Sequence, residues 1–177
     1  MICFANVFFG ALVVGVLGLC SCAQKPTAGS PFPGPNGVSR SPSGKFHILH
    51  DTGDGRSPAL YGLYDREGKL LATCPSIVTA EGIKVPGLPV EQTVNWSPSE
   101  KTVLIYENMS DASPEYEHHL FSENRSGTFD SRTIDLPHRS EPLPYGEWPS
   151  VDSVDDSRLN LRWRSDPKAE SIPIPPP

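Results

Sequence analysis

The chain has 177 residues and a formal net charge of −6, with 15 Lys and Arg against 21 Asp and Glu. That length excludes more than one ordinary domain with appendages. The charges are interspersed, which argues against a nucleic-acid face or an acidic solvating tail, and 20 prolines with 15 glycines exclude much helix.

Residues 1–22 carry no charged side chain, and an apolar run extends from Val7 to Leu19. As a helix that run spans about 20 Å, short of the ~30 Å hydrocarbon core. Small residues follow at once (Ser21, Cys22, Ala23), so a secretory signal peptide over residues 1–21 is the preferred reading to an uncleaved anchor. Leu19-Cys20-Ser21-Cys22 resembles the lipobox of bacterial lipoproteins. The resemblance implies that Ser21 is the last residue removed and that Cys22 is the lipidated residue, on either the outer or the cytoplasmic membrane. Diacylglyceride plus an acylated amine would give more than one chain, enough for stable anchoring. Cleavage after Ala23, giving a soluble secreted product, is the alternative. Either way Cys74 is left alone, at the end of an apolar run, which predicts a buried structural thiol.

Residues 22–40 are a Pro/Gly/Ser-rich tether, a composition that buries too little apolar surface to offset ordering entropy. A β-domain is predicted over 41–164, in units near 41–75, 93–136 and 149–164. In the first, a turn at Ser41–Lys45 precedes strands at Phe46–Leu49, Leu60–Tyr64 and Leu70–Cys74, and Pro75 ends the last. A weak strand near Ile77-Val78 is the only pattern between Ser76 and Gln92. In the second unit, Thr93–Trp96 leads through a turn into Thr102–Tyr106, then Tyr116–Ser122 and Thr128–Leu136. Val103 and Ile105 alternate with Leu104 and Tyr106, so both faces of that strand are apolar and it should be doubly covered. In the third, Leu159, Leu161 and Trp163 share one face and Asn160 and Arg162 the other, which suits a half-exposed strand near an edge. The Pro-rich tail, 165–177, reads as extended or disordered.

Three turns begin at the equally spaced Ser41, Ser97 and Ser153: SPSGK, SPSEK and SVDDS. Equal spacing with a strand after each turn indicates an internal repeat. Trp96-Ser97-Pro98-Ser99-Glu100-Lys101, with Ser41–Lys45 behind it, resembles the W-S-P-D-G-K/R turn of TolB-type β-propeller blades. That resemblance implies a strand–turn–strand opening a blade. Ser99 and Ser43 stand where the family has Asp, and Glu100 where it has Gly. Propellers need at least about four blades, too many for this chain. The expected fold is therefore all-β, an antiparallel meander of about eight to ten strands in blade-like units: a partial propeller, a sandwich or a partly open barrel. Tyr61, Tyr64, Trp96, Tyr106, Phe121 and Trp163 are the expected core aromatics.

For chemistry, His47 and His50 should face opposite sides of one strand, and adjacent His118 and His119 should point apart beside Glu115 and Glu117. Asp51-Thr52-Gly53 matches the aspartic-protease tripeptide but lacks its second copy and flanking apolar strands. No G-x-S-x-G elbow, Gly-rich phosphate loop or H-E-x-x-H occurs. No catalytic, cofactor-binding or metal residue is therefore assigned, and Cys22 is the one site residue named. The three N-x-S sequons, at Asn95, Asn108 and Asn124, read as incidental in an exported bacterial protein. The functional expectation is a lipid-anchored envelope protein whose β-domain binds or scaffolds an envelope partner, with no cofactor and no nucleic acid. The alternatives are a secreted hydrolase using the 50–54 or 115–119 region, and a purely structural surface protein.

Overall fold

A computed structural model describes residues 30–32, 37–54, 56–80, 90–108, 116–139, 149–166 and 168–174. The signal peptide, Cys22, Glu115 and most of the tether lie outside the described residues.

Among those described, twelve strands form three antiparallel sheets, with essentially no helix and no closed barrel. The first sheet is β2 (Val38–Arg40), β3 (Phe46–Asp51), β4 (Leu60–Asp65) and β5 (Leu70–Pro75), paired in chain order. The second contains β6 (Glu91–Trp96), β7 (Thr102–Asn108), β8 (Tyr116–Glu123) and β9 (Phe129–Ile134) in the same order, with β1 (Ser30–Pro31) added beside β6. The third is β10 (Ser150–Val154), β11 (Arg158–Arg162) and β12 (Glu170–Pro173).

The second sheet is the middle layer, and β7 shows why. Val103 and Ile105 pack with Phe46, Ile48, Tyr61 and Leu63 of the first sheet. Leu104, between them, packs with Leu120, Val154, Leu159 and Leu161 toward the third. Side chains alternate across a strand, so two cores need apolar residues at every position, as 103–105 supply. The doubly covered strand is thus observed. Tyr61, Phe121 and Trp163 are fully or almost fully buried, and Trp96 packs part-buried against the first core; Tyr64 and Tyr106 are half-buried.

Two boundaries differ from the sequence reading. Strands β1 and β2 come from the end of the tether, and Phe32 beside β1 is buried in the first core. The tail supplies β12, whose Ile172 and the following Ile174 pack against the second core. Strand β11 is consequently central in its sheet and not an edge, since β12 covers it. No strand forms at Ile77-Val78, although Val78 is fully buried.

The first two repeat turns are the same structure. Ser41 N–H donates to Phe46 O and Ser97 N–H to Thr102 O, at 2.9 and 2.8 Å. The Ser41 hydroxyl accepts Phe46 N–H, and the Ser97 hydroxyl accepts Thr102 N–H, both at 3.1 Å. The fourth position of each turn is left-handed, with φ of 73° at Gly44 and 61° at Glu100. The third copy departs from the alignment on Ser153, which lies within β10 and bonds Asn160. Its turn runs from Asp155 to Arg158, held by the Asp155 carboxylate on the N–H groups of Ser157 and Arg158.

These turns are linked head to tail. The Glu100 carboxylate accepts from the Ser41 hydroxyl at 3.0 Å and from both the hydroxyl and N–H of Ser43 at 2.6 Å. The Asp156 carboxylate does the same to the second turn, accepting from the hydroxyls of Ser97, at 2.8 Å, and Ser99. The first and second units therefore each offer a serine pair to a carboxylate of the next.

Candidate functional site

At the far end of β7 from its turn, the side chain of Glu107 points into the interface with the first sheet. It is fully buried, and an unpaired buried carboxylate would be costly. Four donors meet it. Oε1 accepts from His119 Nε2 at 2.7 Å and Ile77 N–H at 2.8 Å. Oε2 accepts from the Tyr61 hydroxyl at 2.9 Å and the Ser76 hydroxyl at 2.7 Å. Those four bonds fill the lone-pair positions of an ionised carboxylate. Burial pushes the Glu107 carboxyl up, but the bonds from His119, Ile77 and Ser76 outweigh it and leave it below the usual carboxylate value.

A second tier completes the network. Ser76 Oγ gives its proton to Glu107, so it accepts from His50 Nε2 at 3.1 Å and from Val78 N–H at 3.1 Å. His50 then carries its proton on Nε2, and Nδ1 accepts from Gln92 Nε2 at 3.3 Å. Gln92 Nε2 also donates to the Tyr61 hydroxyl. On the other side, His119 Nδ1 meets Thr133 Oγ1 at 3.3 Å. Every proton in this set can be placed, and each path ends on Glu107. His50 is stacked on Tyr61 with ring centroids 4.6 Å apart. Its pKa is lowered, because burial outweighs the attraction of Glu107, so the imidazole is held neutral. Burial, then the Glu107 charge, push the Tyr61 hydroxyl and the Cys74 thiol up, which leaves both protonated. Cys74 is an inert core thiol, in keeping with its sequence context.

Glu117 lies directly opposite Glu107 across β7 and β8, with His119 two residues along on the same face. The Glu117 Oε2 atom is 3.4 Å from His119 Nε2, and its side chain is 38% exposed. One imidazole nitrogen is therefore flanked by two carboxylates, one sealed and one open to solvent. The three ligand atoms of Glu107, Glu117 and His119 lie within 4.8 Å of one another.

The remaining sequence candidates are dispersed. His47 is on the opposite face from His50, stacked on Tyr64 with centroids 5.3 Å apart. Asp51 is exposed and its carboxylate caps the Gly53 N–H at 2.9 Å. Asp54 caps the N–H groups of Arg56 and Ser57. The D-T-G tripeptide is thus a turn. His118 points away from His119 and packs near Tyr106, with centroids 5.1 Å apart. Burial, and then the neighbouring His119, lower its pKa to about 4. The structure joins His50 to His119 through Ser76 and Glu107, and it leaves out Asp51, Asp54 and His118. Sequence reasoning missed Glu107, Ser76 and Gln92. The available signal was Glu107, a lone acid closing an apolar strand.

A separate surface feature lies at the turn end of the interface between the first two sheets. It is a cleft of about 470 Å3, lined by Phe46, Leu70, Leu71 and Phe129 together with Lys45, Lys69, Asp65 and Glu123. Phe46 and Phe129 meet edge to face at 5.2 Å, and Lys45 Nζ sits over the Phe46 ring at 4.7 Å.

No protein-family model, curated protein or solved structure matches this chain at significance.

Proposed function

We propose that the chain is a lipid-anchored cell-envelope protein whose β-domain binds an envelope partner without catalysing a reaction. The observation that carries the binding half is the cleft between the first two sheets. At about 470 Å3 it falls in the size range of ligand pockets, ~300–1,000 Å3. Its apolar wall would take an apolar side chain of the partner, and the mixed charges of Lys45, Lys69, Asp65 and Glu123 would meet polar groups around it. The anchoring half rests on Leu19-Cys20-Ser21-Cys22. Metabolic labelling with palmitate should mark the wild type and not Cys22→Ala; equal labelling of both overturns the anchor. Crosslinking in native membranes should capture a defined partner with the wild type and lose it with Leu70→Asp or Lys69→Glu at the cleft. Capture unchanged in both variants overturns the cleft as the binding surface.

A second reading, a hydrolase, draws on one observation: the hydrogen-bonded line His50–Ser76–Glu107–His119 connects the two regions suspected from sequence. Ser76 is part-buried rather than sealed. Its proton is directed to Glu107 and not to His50, which argues against a serine nucleophile activated by that imidazole. Screening the purified domain against ester, peptide and glycoside substrates tests it; turnover lost in Ser76→Ala would favour the hydrolase over the binding role.

A further inference from the structure

We propose that Glu107, Glu117 and His119 bind one divalent transition-metal cation of the zinc class, independently of the partner-binding role.

Register supplies the first argument. Glu107 and Glu117 face each other directly across β7 and β8. Like charges directly opposite on paired strands are destabilising, and here one of the pair is fully buried. His119 Nε2 lies within ion-pair distance of both, at 2.7 Å from Glu107 and 3.4 Å from Glu117. Two carboxylates around an imidazole nitrogen offer the charge and ligand types that suit a dication.

Ligand type and spacing supply the second. Imidazole nitrogen with carboxylate oxygen is a normal donor set for zinc, at about 2.0–2.2 Å from the metal. Tetrahedral geometry at that radius puts ligand atoms roughly 3.3 Å apart. The Nε2 to Glu117 distance, 3.4 Å, already fits, and the Nε2 to Glu107 distance must open by a few tenths of an ångström as the shared proton leaves. Three protein ligands leave a position for water.

The surroundings supply the third. Tyr61 and Ser76 hold Glu107 Oε2, so Oε1 is the atom turned toward His119 and Glu117. Thr133 sits on His119 Nδ1, and its hydroxyl can accept from Nδ1 once Nε2 takes the metal. Such outer partners orient metal ligands. Glu117, 38% exposed, provides the way in from solvent. The proton displaced from Nε2 exchanges through that opening and is re-bound at Nδ1, facing Thr133.

The test is a Co2+ and Zn2+ titration of the purified protein. Wild type should take up one equivalent, with visible Co2+ ligand-field absorption that Zn2+ removes, and zinc should raise the unfolding midpoint. Glu117→Gln should weaken binding tenfold or more and remove the zinc-dependent rise. The same variant should be at least as stable as wild type without metal, because it relieves the cross-strand repulsion. Thr133→Val should weaken binding less. Unchanged affinity in Glu117→Gln, or no one-equivalent uptake by the wild type, overturns the site.

Discussion

The Tyr61 hydroxyl donates to Glu107 Oε2 at 2.9 Å across the boundary between the first and second sheets. With Ser76 and Ile77 from the loop after β5 on the same carboxylate, Glu107 ties the two layers by directed bonds at one end of β7, as Glu100 does at the other. Apolar packing elsewhere in that interface holds the sheets together but does not fix their angle.

Glu107→Ala should therefore be severe. It leaves two hydroxyls, an N–H and an imidazole facing a void, and breaking a buried charged network costs about 3–5 kcal/mol. Glu107→Leu, which removes the charge but restores volume, should lose less than Glu107→Ala in urea unfolding. Equal losses would mean that the lost hydrogen bonds, and not the void, carry the whole cost.

Acid should weaken the fold in two stages. His118 has its folded pKa lowered from 6.5 to about 4. Its neutral form is the one the fold accommodates, so its stabilising contribution is complete above 6.5 and lost as pH falls toward 4. Up to about 3 kcal/mol follows from that gap. His50, also lowered, adds loss in the same direction below its unfolded value. Glu107, lowered as a carboxyl, contributes above the unfolded carboxyl value and is lost as pH falls through its folded one. Urea midpoints between pH 7.5 and 4 should decline, and His118→Phe should flatten the slope between 6.5 and 4.

At the repeat turns, Glu100 combines a left-handed backbone with a buried three-bond carboxylate. Burial raises its carboxyl and the Ser43 and Ser41 bonds more than reverse this, so the ionised form is favoured. Glu100→Gly removes the bonds but relieves about 1 kcal/mol of backbone strain; Glu100→Ala removes the bonds alone. Glu100→Ala should be the less stable by about that amount. A double-mutant cycle of Glu100→Ala with Ser43→Ala should show coupling of 1 kcal/mol or more.

Leu104 and Ile105 are chain neighbours in different cores. Each, changed to Ala, should cost about 2–5 kcal/mol. Only Leu104→Ala should raise amide exchange in β10–β12 selectively. Exchange rising equally in the first sheet would contradict the layering.

Much of this fold is written in alternation. The run 102–106 shows apolar residues at odd and even positions alike, and that alone places it in a middle layer. Leu159, Leu161 and Trp163 declare one buried face just as clearly. The short strands β1 and β12 were hidden because proline and serine dominate their surroundings. Even so, Ile172 and Ile174 both pack inward, with Pro173 exposed between them. The candidate site is harder to read, since its members come from β3, β4, β6, β7, β8, β9 and the loop at Ser76. Pairing of Glu117 with His119 on one face follows from their spacing of two. That Glu107 lies opposite Glu117 depends on register, which local sequence does not state.

Register is also where Glu107 has its deepest effect. A strand with one apolar face resists a one-residue slip, because the slip would turn its apolar side chains to water. Strand β7 lacks that protection: both its faces are greasy, and a shifted pairing would still bury Val103, Leu104 and Ile105. What such a shift cannot keep is the carboxylate's set of donors, because the side chain would turn to the opposite face, where Tyr106 packs near His118. One acidic side chain thus disqualifies the wrong alignments that the hydrophobic pattern alone would tolerate.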